Sequence, residues 1–109
     1  MEESVTYDDV LLLPQYSDIR SRSEIDISTS LTNRLELSLP IISSPMDTIT
    51  EECMIGAMHG AGGTGVIHRY NSTKEQAAIV NHAFIRGATN IGVAVGISGD
   101  FVERAEACL

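Results

Sequence analysis

From Leu39 to the last residue the chain alternates short apolar runs with amphipathic stretches, and this alternation limits the available folds more than any other feature. The runs at 39–43, 65–68 and 90–95 read as strands, and the stretches from about 49 to 59, from 73 to 85 and from about 100 onward read as helices. Near-continuous apolar strands joined by helices favour a parallel sheet covered by those helices, because a parallel pair needs a long crossover and is buried on both faces. The expected class is therefore α/β, with three strand-helix units. Three units cannot close a barrel, and the outer strands would leave apolar edges unpaired, so the pattern predicts an incomplete domain.

Local signals place the helix ends. Thr48 with Glu51, and Ser72 with Glu75, have the spacing of capping boxes, and Glu51 and Glu52 put negative charge where a helix dipole favours it. Met54, Ala57, Met58 and Ala61 are predicted to share one face of the first helix, which Gly60 would terminate; Gly87 would end the second. Val102, Ala105 and Leu109 would share one face of the third. Residues 1–38 read as a lead-in that packs on the body formed by 39–109. It contains the apolar segment Tyr7-Asp8-Asp9-Val10-Leu11-Leu12-Leu13-Pro14 and the alternating Glu24-Ile25-Asp26-Ile27-Ser28, which has the pattern of a half-exposed strand.

A chain of 109 residues, 43% hydrophobic, suffices for one modest core. Fifteen acidic residues against seven Lys and Arg give a formal charge of -8, which argues against a nucleic-acid partner. No apolar run approaches the roughly 20 residues of a membrane span, and Met1-Glu2-Glu3-Ser4 is not a basic leader, so a cytoplasmic protein with no membrane partner is expected. The two cysteines, Cys53 and Cys108, fall on predicted helices, where they are expected as buried, reduced, structural thiols.

Strand ends carry the candidate chemistry, since in parallel α/β architectures ligands bind beyond the carboxyl ends of the strands. Three such ends stand out: Ser43-Ser44-Pro45-Met46-Asp47-Thr48, Ile67-His68-Arg69, and Val95-Gly96-Ile97 followed by Ser98. All three are predicted to share one rim. Ser43 and Ser44 serve equally as turn formers or as hydroxyls for a polar ligand, while Met46 beside them is a polarizable group suited to covering a flat ring. Asp47 reads as a ligand contact or a helix-entry carboxylate. His68 and Arg69 read as contacts for an anionic or aromatic ligand, or His68 as a satisfied hydrogen-bonding residue. Gly60-Ala61-Gly62-Gly63-Thr64-Gly65 has the spacing of a dinucleotide fingerprint, but it follows a helix and opens a strand. That order makes it a turn on the opposite rim. His59 and His82 have no metal-ligand spacing, and no metal site is expected.

Taken together, three motifs in order resemble the IMP dehydrogenase and GMP reductase family: Thr6-Tyr7-Asp8-Asp9-Val10-Leu11-Leu12-Leu13-Pro14, Pro40-Ile41-Ile42-Ser43-Ser44-Pro45-Met46-Asp47-Thr48, and Gly62-Gly63-Thr64-Gly65-Val66-Ile67-His68-Arg69. The resemblance implies the N-terminal portion of a (β/α)8 TIM barrel, a homotetramer, and redox chemistry at C2 of a purine nucleotide. It implies substrate contacts at Ser44, Met46 and Asp47, with Met46 against the purine, and places His68 and Arg69 at the active-site mouth. The family's catalytic cysteine and its monovalent-cation site, such as one for K+, belong to later strands; neither Cys53 nor Cys108 matches the catalytic position. The chain would then position nucleotide and lack oxidoreductase activity alone.

Two readings of the reaction follow from the resemblance. Ser43-Ser44-Pro45-Met46-Asp47 looks like the dehydrogenase form, which converts IMP to XMP with NAD. The short connection Arg86-Gly87-Ala88-Thr89 leaves no room for the regulatory CBS pair of most dehydrogenases, and also fits a reductase that converts GMP to IMP with NADPH. A third reading, from a different class, is a non-catalytic half-barrel that pairs with another chain.

Overall fold

The structure is a computed structural model and describes residues 4–109. The acidic start at residues 1–3, read above as no leader, lies outside the described residues. A 3-10 turn at Arg22–Glu24 precedes a hairpin of β1 (Thr29–Thr32) and β2 (Leu35–Leu37). Then come β3 (Ile42–Ser43), α1 (Glu52–Gly60), β4 (Thr64–Ile67), α2 (Thr73–Ile85), β5 (Ile91–Val93) and α3 (Phe101–Ala107). β3, β4 and β5 form a parallel sheet in that order. The α/β class and the three strand-helix units are as expected, in a sheet that does not close.

Register fixes the two faces of the sheet. Ser43, Gly65 and Ile91 are partners across the ladder, as are Ile67 and Val93. Because side chains alternate along a strand, these residues share one face. Ile67 is fully buried there against Ile55 of α1 and Ala83 of α2, with Ala88, Ile79, Val80 and Ile91 completing the core. Burying a side chain such as Ile55 or Ile67 contributes about 1.5–3 kcal/mol. Surface polar contacts of Glu52 with His82 (3.2 Å) and Arg86 (3.5 Å) also join α1 to α2. Pairs of that kind contribute about 0–1 kcal/mol, so apolar packing holds the helices down.

Several expectations need correction. The first strand is shorter than 39–43, because Pro40 has no N–H to give; only single bonds such as Leu39 N–H to Gly62 O continue the pairing. The third spans Ile91–Val93 rather than 90–95. The Thr48 and Glu51 capping box does not form: α1 begins at Glu52, and its N-cap Glu51 makes no side-chain cap. The face of α1 toward the sheet is centred on Ile55, with Ala57 and Ala61 exposed; the helix does end at Gly60, as expected, and the chain then reverses at Gly62. Gly62 has φ +88°, a conformation that strains any side chain. In α3 the buried residue is Arg104, while Val102 and Leu109 are exposed. By contrast, Thr73–Ile85 carries the predicted Ser72 and Glu75 box, with both reciprocal bonds present.

The lead-in also differs. Glu24 closes the 3-10 turn, and the strand pairing lies further on, where β1 runs antiparallel to β2 and Leu37 is buried. Leu11 is 96% exposed, and Leu12 and Leu13 are similarly bare, so this apolar segment does not pack on the body among the described residues. Cys53 is exposed on α1 and Cys108 is half-buried just after α3, so the expectation of two buried thiols fails for Cys53. Both are free. Burial pushes the Cys108 thiol up from its ordinary value.

Candidate functional site

Parallel pairing brings the carboxyl ends of β3, β4 and β5 to one rim, so the loops after Ser43, Ile67 and Val93 share it. The first loop is a tight turn. Met46 N–H donates to Ser44 O (2.8 Å), and Ile49 and Thr50 N–H both donate to Met46 O (3.0 Å each). Thr50, fully buried, closes this turn with its hydroxyl, which donates to Ser44 O and stands 2.9 Å from the Ser43 hydroxyl. Ser44 and Asp47 are exposed, and Met46 is 48% exposed at the rim. A half-exposed thioether held on a hydrogen-bonded turn is an apolar platform with polar neighbours.

His68 is only 3% exposed. The Tyr70 N–H donates to His68 Nδ1 (3.2 Å), and Nε2 lies 3.1 Å from Glu51 Oε1. Since Nδ1 accepts, the neutral ring carries its proton on Nε2 and donates it to Glu51. This bond explains the missing capping box: the Glu51 carboxylate faces His68 instead. Asp47, Glu51, His68 and Tyr70 line a cleft of about 480 Å³ that runs along α2 past Glu75, Ile79 and His82. Arg69 is exposed, and its guanidinium lies beside the Gly96 backbone, where a side-chain carbon on Gly96 would stand 3.2 Å from it. The rim therefore has two groupings, Asp47 with His68 and Arg69 with Gly96.

Residues overlooked in the sequence sit directly behind the rim. Gln76 and Arg104 are buried, and Gln76 Nε2 donates to His68 O and Ala94 O, each at 2.9 Å. Asn71 gives its carbonyl to Arg104 (3.1 Å), and its Nδ2 is buried with no partner among the described residues. Asp100 accepts from Arg104 (2.8 Å) and from Thr73 (2.9 Å). The Thr73 hydroxyl and the Arg104 guanidinium hold the Asp100 carboxyl below its ordinary value. The signal for Gln76 is its place at the head of an apolar stripe: Gln76, Ile79, Val80 and Ala83 follow helical spacing, with one polar member.

The glycine-rich segment joins α1 to β4 on the opposite rim, as its order predicted. A side-chain carbon on Gly63 would meet Ile41 O at 2.7 Å and Met58 Cε at 2.8 Å. The space is filled by the chain's own atoms, so these glycines do not fit a dinucleotide pyrophosphate. Among the described residues no cluster of three or more His, Cys, Asp or Glu is arranged to hold a metal ion.

Residues 4–109 match the family model described as IMP dehydrogenase / GMP reductase domain. Inosine-5'-monophosphate dehydrogenase of Nitrosopumilus maritimus (strain SCM1) is 44% identical over 99 residues, covering 91% of this chain and 21% of the relative. The crystal structure of inosine 5' monophosphate dehydrogenase from Legionella pneumophila superimposes with a TM-score of 0.82 at 36% identity, over 97% of this chain and 32% of that one. GMP reductase from Trypanosoma brucei, solved in complex with guanosine 5'-triphosphate, gives a TM-score of 0.70 at 44% identity, over 73% of this chain and 19% of that one. The chain thus spans about a fifth of the length of the dehydrogenase relative. Match length, identity and superposition agree with the three motifs read from the sequence, and the chain belongs to the IMP dehydrogenase / GMP reductase family.

Proposed function

We propose that this chain supplies the nucleotide-positioning rim of a purine nucleotide oxidoreductase, in which Ser44, Met46 and Asp47 contact the substrate and His68 and Arg69 stand at the mouth of the site. The observation that carries this reading is the parallel register, which gathers those loops on one rim. Met46 covers the purine, and the Ser44 hydroxyl is free to bond a polar edge of the nucleotide while its carbonyl stays committed to Thr50. Arg69 is available to an anionic group from its place beside Gly96. Such contacts act by orientation, which raises rates by fixing reactants in a reactive geometry. No bond-making step is assigned to Cys53 or Cys108.

The reaction read from the resemblance is oxidation of IMP to XMP with NAD, in a cytoplasmic homotetramer. Among the described residues the glycine-rich turn is filled by the chain's own atoms and offers no cradle for the dinucleotide. Reduction of GMP with NADPH is the second reading, favoured by the equal 44% identity to the trypanosomal reductase. The complete gene product should be assayed with IMP plus NAD and, separately, with GMP plus NADPH. We expect IMP-dependent NADH formation. Turnover of GMP alone would move the assignment to the reductase, and turnover of neither would contradict the oxidoreductase reading.

A further inference from the structure

Behind the rim lies a buried polar latch that the nucleotide reading does not use. Both N–H groups of the Gln76 amide are committed, one to His68 O and one to Ala94 O, at 2.9 Å each. These carbonyls directly follow β4 and β5, so one side chain spans the two strand ends. Gln76 Oε1 accepts from Arg104 Nη1 at 3.0 Å, and Arg104 is held in turn by Asn71 O and Asp100. Gln76 is wholly buried and Arg104 is 7% exposed.

Stability alone does not call for this arrangement, because apolar residues of similar volume commonly pack a buried site as well as a charged and polar set does. Nor would a carboxylate serve at position 76, since it has no proton to give to two carbonyls. The geometry requires a primary amide, locked from a third unit by a guanidinium fork.

We propose that Gln76, locked by Arg104, is a positioning residue that sets the spacing between the His68-Arg69 loop and the Gly96-to-Ser98 loop. The proposal rests on the nucleotide reading for what the rim holds, while the latch itself does not. It accounts for Arg69 lying against Gly96: the carbonyl before Arg69 and the carbonyl two residues before Gly96 are tied to one amide.

The test uses the complete gene product with Gln76→Met, which keeps length and removes both donors, and Arg104→Lys, which keeps charge and removes the fork. Residue-resolved amide exchange is read at Tyr70 and Ala94 on this rim and at Gly63 and Thr64 on the opposite rim, all of which donate hydrogen bonds in the native fold. We expect exchange at Tyr70 and Ala94 to rise about tenfold or more, with Gly63 and Thr64 unchanged. The KM for IMP should rise about tenfold with kcat altered less than about threefold, the mark of lost binding rather than lost chemistry. Arg104→Lys should show the same pattern more weakly, and it decides the question if Gln76→Met does not fold. Equal loss of protection on both rims, no loss at this rim, or a loosened rim with unchanged KM would each overturn the proposal. A native protein that turns over neither IMP nor GMP would fail the functional reading instead, and the exchange pattern alone would then decide the latch.

Discussion

Thr50 has no exposed surface, yet its hydroxyl ties Ser44 O and the Ser43 hydroxyl to the start of the first rim loop. Thr50→Val keeps the shape and removes the donor. The substitution should cost about 1–3 kcal/mol, the desolvation penalty of a buried carbonyl left without a partner, measurable by urea unfolding. Met46 is the opposite case: half-exposed and outside the core, it contributes little to stability. Met46→Ala in the complete gene product should weaken purine nucleotide binding several-fold, about 1 kcal/mol, while the unfolding midpoint stays nearly fixed. Unchanged affinity would remove the purine contact from the account. The rim position of Met46 and Asp47 was legible because a strand end is a local signal. Thr50 was not, because its role depends on the turn folding back over six residues, and Gln76 was not, because its partners come from two strands and a third helix.

The two capping patterns show what local sequence can and cannot specify at the scale of an element. Ser72 and Glu75 bond only each other through their side chains among the described residues, and their box forms as spaced, starting α2 at Thr73. Glu51 has a rival in His68, 17 positions away, and the carboxylate goes there. Register and face follow the same logic: the face of α1 turns on Ile55 meeting Ile67, a long-range contact no periodicity within α1 resolves. The hairpin of β1 and β2 was missed because its strands of four and three residues are too short to show alternation. The Ser72 bonds hold the Glu75 carboxyl below the usual glutamate value of 4.5. A group depressed on folding adds stability above its unfolded value and loses it as pH falls through its folded one. Protection of the first-turn amides of α2 should therefore decline on acidification below about pH 4.5, and Glu75→Gln should flatten that decline. An unaltered acid profile in the variant would assign the loss to other carboxylates.

As a whole molecule the chain is loose for its length. Its radius of gyration is 17.9 Å, against about 13 Å for a compact chain of this size. The extended segment bearing Tyr7, Leu11, Leu12 and Leu13 accounts for part of the excess. β3 and β5 each have one ladder neighbour, and Ile42, Val95, Ile97 and Phe84 are exposed. Open parallel edges beside bare apolar side chains favour association, so the 109-residue chain alone should sediment as oligomers or aggregates and form no NADH from IMP and NAD. A monodisperse, active monomer would require a catalytic site in this segment, with Cys53 or Cys108 the first residue to replace. A structure of the complete gene product with bound IMP tests the shared rim most directly. The account predicts the purine within van der Waals contact, about 4 Å, of the Met46 side chain, on the rim formed by the loops after β3, β4 and β5. A nucleotide seated on the Gly62-Gly63 rim, or on this rim away from Met46, would contradict it.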